Sequence, residues 1–183
     1  MSQRVLMNAV RTHLRLAVGT GLPSDGLGLA TAQCECMFDG QPPAIAGELF
    51  VSIHEGEWRC TSAEARDDTI GVYVTITRRV AFVPQDRGRI PLLDAADAVD
   101  VWADKIASKV HSNYVIMNAA NTVLGGSVNG FIEPLRFKGT MGPSQERGPE
   151  WFSSAEESDA PVGVSRTLIF AEARRYQTIE SQA

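Results

Sequence analysis

From Arg4 to Val18, the apolar residues Val5, Leu6, Ala9, Val10, Leu14 and Ala17 recur at spacings of three and four, the signature of one helical stripe. Arg4, Arg11 and Arg15 fall largely off that stripe, and Gly19, Gly21 and Pro23 stop it. The text then turns loop-like as far as Gly47, with a short strand expected within Ala32–Phe38. Pro42-Pro43 is rigid and unfit for a central strand. Leu49, Val51 and Ile53 alternate with Phe50, Ser52 and His54, which predicts a strand ended by Gly56. Ala63–Thr69 is charged and reads as a connection. Gly71–Val83 is rich in β-branched residues, with Val72, Val74 and Ile76 on one face, and pairs with the preceding strand as an antiparallel hairpin.

Leu92, Leu93, Ala96, Val99, Ala103, Ile106 and Val110 mark the buried face of a second helix. Asp94, Asp97, Asp100 and Asp104 repeat on another face, with Lys105 and Lys109 toward the C-terminal end, where the helix dipole favours them. Tyr114–Asn121 either extends this helix or begins another, and Gly125-Gly126 ends it. Phe131–Phe137 reads as a short strand interrupted by Pro134, and Lys138–Pro161 as a long exposed loop or arm. Ser165–Tyr176 is a final strand. The expected fold is α+β: a mainly antiparallel sheet with two amphipathic helices packed on one face, plus long loops. A single domain over residues 1–183 is expected, with extended loops at about 19–47 and 138–161.

A hydrophobic content of 44% fits a chain with a core, and its apolar runs are too interrupted to span a membrane. The formal net charge of −5 argues against nucleic acid as the main partner, because such affinity comes from neutralising phosphates. The three cysteines, Cys34, Cys36 and Cys60, form no disulfide framework and fit a reducing compartment.

The candidate chemistry is thin. Cys34, Cys36, His54 and Cys60 supply the four ligands of a structural zinc, but C-x-C is a poor zinc knuckle. On a strand, Cys34 and Cys36 share one face as small apolar residues, with Glu35 on the other. His13, His54 and His111 lie in no nucleophile motif. The glycines of Gly19–Gly28 follow a helix and lack a Gly-Lys-Ser/Thr, so they form no phosphate loop. The aspartate row reads as a solvated helix face. No catalytic residue, metal or cofactor is expected.

The surfaces say more. Trp151 and Phe152 stand in the arm as an aromatic pair, either an anchor on their own core or a plug for a neighbouring subunit. Arg78, Arg79, Arg174 and Arg175 fall near strand ends and suit bidentate pairing with carboxylates, which Asp94 and Asp97 of a second copy would offer.

The layout as a whole resembles the tail terminator and neck proteins of tailed bacteriophages. The likeness rests on the amphipathic first helix, the Gly40–His54 segment, the Gly71–Val83 strand, the Leu92–Val110 helix and the terminal strand. It implies a virion subunit, assembled in the host cytoplasm, forming a hexameric ring at the head-proximal end of the tail. Its partners would be the tail tube protein and the neck or connector, with no cofactor. The competing classes are a small cytoplasmic metal-dependent enzyme using His54, Cys60 and nearby carboxylates, and a monomeric ligand-binding module.

Overall fold

The computed structural model describes residues 2–37, 49–60, 66–80, 89–125, 130–147 and 162–177. The apolar stripe of the first helix, α1 (Ser2–Arg15), buries Leu6, Met7, Ala9, Val10 and Leu14. The helix stops earlier than its periodicity suggests, because the chain doubles back on it. Leu27 and Leu29 donate to the carbonyl of Leu14, Gly28 to that of Leu16 and Gly26 to that of Ala17. These bonds satisfy carbonyls that a helix end otherwise leaves to solvent. Gly26 is required there, since a Cβ would stand 2.2 Å from the Leu16 carbonyl oxygen.

Among the described residues five strands form one sheet: β1 (Cys34–Cys36), β2 (Leu49–Cys60), β3 (Arg66–Val80), β4 (Arg136–Arg147) and β5 (Val162–Gln177), in the order β1-β2-β3-β5-β4. All pairings are antiparallel except β1 with β2. The expected β2–β3 hairpin is present. Central β3 turns Ile70, Val72, Val74 and Ile76 into the core, where each is fully buried. The helices α1, α2 (Arg89–Val110) and α3 (Tyr114–Leu124) contribute to the same core cluster.

One open alternative is decided and three expectations need correction. The segment after α2 begins another helix, set off by Ser112 at φ 51° and capped by Asn113, whose side chain accepts from the Val115 amide at 2.9 Å. Strand β2 does not end at Gly56. It bulges between Glu55 and Trp58 and pairs on to Cys60, opposite a β3 that begins at Arg66 and so includes part of the expected connection. The Phe131–Phe137 strand is a single bridge from Phe131 to Arg175, with β4 starting only at Arg136. The first part of the expected arm, Lys138–Arg147, belongs to β4, paired with β5 from Arg136↔Ala171 to Arg147↔Val162. Gly142, at φ 97°, lies within one of its irregularities.

Candidate interaction surfaces

Alternation along the strands gives the sheet two faces. Val51, Ile53, Val74, Ile76 and Leu168 join the helices in the core cluster. The opposite face carries Phe50, Ser52 and His54 of β2, Tyr73, Thr75 and Thr77 of β3, and Ser165, Thr167 and Ile169 of β5, as the register dictates. Toward one end of this face Phe50, Ser52, Thr77 and Ser165 are buried. In its middle, Thr75 and Thr167 share a hydrogen bond of 2.8 Å.

Toward the other end the bulges of β2, β3–β5 and β4 come into line, and the face opens into a groove of about 540 Å³. Its polar walls are Glu57 and Arg59 of β2 and Lys138 of β4, and its floor includes Tyr73 and Ile169. Arg59 pairs with Glu57 at 2.8 Å. The sheet can bend here because two glycine backbones touch: a Cβ on Gly56 would meet the Gly71 carbonyl carbon at 2.6 Å. Sequence reading missed this groove. Its only trace was Tyr73 set opposite the apolar face of β3.

On the helix side, Leu93, expected on the buried face of α2, is exposed together with Asp94, Asp97, Val101 and Asp104. At 100° per residue they share one stripe. Asp100 lies beside the stripe and pairs with Arg166 of β5 at 2.5 Å, tying α2 to the sheet.

The six described residues among those expected to make contacts do not form one site. Arg78 and Arg79 lie opposite Val164 and Gly163, whereas Arg174 and Arg175 lie opposite Thr69 and Asp68. About nine residues of strand separate the two pairs, or roughly 30 Å at 3.3 Å per residue. Arg174 stands 3.9 Å from Glu133. Asp94 and Asp97 are exposed on α2, and Trp151 and Phe152 lie outside the described residues.

The four candidate zinc ligands are likewise dispersed. Cys34 and Cys36 face the core together, as strand alternation requires, and burial pushes their thiols up to about 12 and about 11. Cys60 is exposed, six residues along β2 from His54. Burial holds His54 below the usual imidazole value, and its Nε2 lies 2.8 Å from the buried Ser52 hydroxyl. Among the described residues, no group of three His, Cys, Asp or Glu side chains is placed to hold a metal ion. Glu35 is clasped from α1 by Arg15 at 2.5 Å and Arg11 at 3.1 Å. Burial acts to raise the Glu35 carboxyl, but the two guanidiniums overcome it and leave its pKa lowered.

His13 is buried where α1, the returning chain and the α2–α3 corner meet, and Asn113 Nδ2 approaches its Nε2 at 3.1 Å. His111 is exposed and accepts the Phe137 amide on Nδ1 at 3.0 Å. Beside this corner a second hollow, of about 410 Å³, is lined by Leu22, Pro23, Lys109, Tyr114 and Val115 among others. No helix among the described residues is long and apolar enough to cross a membrane. No family model and no curated protein matches the chain.

Proposed function

We propose that this chain is a structural subunit of a tailed-bacteriophage virion, a tail terminator or neck protein that forms a hexameric ring between the tail tube and the connector. It acts by assembly and performs no catalysis. The supporting observation is the separation of its charged surfaces: arginine pairs about 30 Å apart at opposite ends of one sheet, and exposed aspartates on the helix layer behind it. A subunit in a closed ring meets its two neighbours through different surfaces, so a head-to-tail contact needs complementary patches in separate places. A catalytic site would instead gather its polar groups. His54 and Cys60, on which the metal-dependent alternative rests, lie six residues apart on β2.

Negative-stain microscopy of the purified protein, run beside light scattering for mass, tests the proposal. Rings with a central hole, or rings that form on added tail-tube ends, are the expected result. A chain that is monomeric alone and does not bind tube or connector proteins overturns it.

A further inference from the structure

We infer that a proton on His13 turns the Asn113 amide over and uncaps α3, so that the corner between α1, the returning chain and the α2–α3 junction is a switch that acid opens. The inference stands apart from the ring reading and needs no second copy.

Backbone groups of fixed role set the orientation of the Asn113 amide. The Val115 amide only donates, so the atom it meets at 2.9 Å is Oδ1. The carbonyls of Pro23 and Lys109 only accept, so the atom they meet at 3.1 Å and 2.7 Å is Nδ2. His13 Nε2 lies 3.1 Å from that Nδ2 and bonds to it only while it carries no proton. Both side chains are buried, His13 3% and Asn113 6% exposed, so a mismatch between them is not relieved by bulk water.

A proton on Nε2 sets donor against donor. With the amide turned over, the imidazolium meets Oδ1 in a charge-assisted bond, roughly twice as strong as the neutral bond it replaces. The same turn takes the oxygen from the Val115 amide and the nitrogen from both carbonyls, so α3 loses its cap and the loop at Pro23 loses its tie to α2. These groups border the hollow of about 410 Å³ lined by Leu22, Pro23, Tyr114 and Val115, which acid therefore loosens.

The surroundings set where the switch acts. Burial disfavours the imidazolium most, Lys109 of α2 adds to that, and Asp25 of the returning chain opposes them. Helix α3 carries no charged residue, and Tyr114 is its one titratable group. His111 is exposed with its Nδ1 turned to the Phe137 amide, and on α1 both Arg11 and Arg15 are engaged with Glu35. The transition therefore falls below the usual imidazole range.

Nuclear magnetic resonance from about pH 7.5 to about pH 5 is the test. Protection of the Val115 amide, corrected for the intrinsic pH dependence of exchange, should fall by roughly fivefold or more, while Val74 and Ile76 of β3 keep theirs. The Val115 amide shift and the His13 ring shift should move with one midpoint. In His13→Gln, which takes up no proton, the fall should vanish. Unchanged Val115 protection in the wild type overturns the inference, because the charged His13 then leaves the corner with the cap intact. An equal fall in His13→Gln also overturns it, as does a parallel fall at Val74 and Ile76, which reports loss of the whole fold. Should His13→Gln fail to fold, the wild-type midpoints decide: a shared one supports the switch and separate ones overturn it.

Discussion

Asn113 joins His13 to three other parts of the chain. Its Nδ2 lies 3.1 Å from His13 Nε2 and also meets the carbonyls of Pro23 at 3.1 Å and Lys109 at 2.7 Å, while its Oδ1 accepts the Val115 amide. The amide nitrogen has two N–H donors for these three acceptors, so one N–H is shared, and because an amide nitrogen does not accept, the imidazole nitrogen facing it is the acceptor. One side chain thus caps α3 and ties it to α1 and to the loop at Pro23. Asn113→Ala should lower stability by roughly 2 kcal/mol through loss of the cap and its buried partners. Urea denaturation checks this. A cost below about 0.5 kcal/mol would show that the corner is held by packing alone.

The same contact sets a pH dependence. Burial lowers the His13 pKa, the nearby Lys109 lowers it further, and Asp25 opposes them in part. Burial lowers His54 too. With the folded value below the unfolded one near 6.5, the unfolded chain binds more protons on acidification. Stability should therefore be level above about pH 6.5 and fall below it. Glu35, whose folded value is depressed, is silent in that window and loses its contribution only below the ordinary carboxylate range. Urea midpoints at about pH 7.5 and pH 5.5 should differ in the wild type and differ less in His13→Gln, with His54 keeping part of the slope. Equal slopes in the two proteins would show that His13 does not contribute.

The elements legible in the sequence were those whose face meets a large apolar core. Leu6, Val10 and Leu14, or Val72, Val74 and Ile76, repeat because each must be buried, and the period names the element. Strand β4 left no such trace. Among the described residues it is an edge strand that pairs on one side only, and Lys138, Gly139, Thr140 and Gly142 read as loop text even though Gly139 and Thr140 join the ladder with β5 and Lys138 and Gly142 sit in its irregularities. Gly56 misled for a related reason. It allows a close backbone approach within β2, whereas glycine after an alternating run usually marks a stop. For the candidate surfaces, the charges were legible and their placement was not. Nothing in the spacing of Arg78-Arg79 and Arg174-Arg175 says that antiparallel pairing sends them to opposite ends. Arg59 and Lys138 reach one groove only through strand order and aligned bulges.

The bend that opens the groove should be sensitive to Gly56. Gln3 of α1 donates its side-chain amide to the carbonyl of Gly56 at 2.9 Å and to that of Gly71 at 3.1 Å, so the first helix braces the point where the strands approach. Gly56→Ala places a methyl against the Gly71 backbone and should cost about 2 kcal/mol or more, because backbone on both sides must move. Gln3→Ala should cost less, about 1 kcal/mol, since the site is only partly buried. If Gly56→Ala is neutral by denaturation, the strands have room that the close approach denies.

The cysteines separate the core from the surface in one experiment. Only the thiolate attacks an alkylating or disulfide reagent. With Cys34 and Cys36 pushed up to about 12 and about 11, their thiolate fractions at pH 8 are about one in ten thousand and one in a thousand, and both side chains are buried. Cys60 is exposed. A thiol reagent should therefore label Cys60 alone in a fast phase on the native protein, and all three cysteines in denaturant. Cys60→Ser should abolish the fast phase. The slow labelling of Cys34 and Cys36 should then follow opening of the β1 edge, where Arg15 holds the Cys34 carbonyl at 3.0 Å through Nε. Arg15→Ala should accelerate that slow phase by roughly tenfold without altering the fast one, the effect of removing about 1.4 kcal/mol from local opening. Fast labelling of Cys34 in the otherwise native protein would mean that β1 is not held in the sheet, and the parallel pairing with β2 would have to be abandoned.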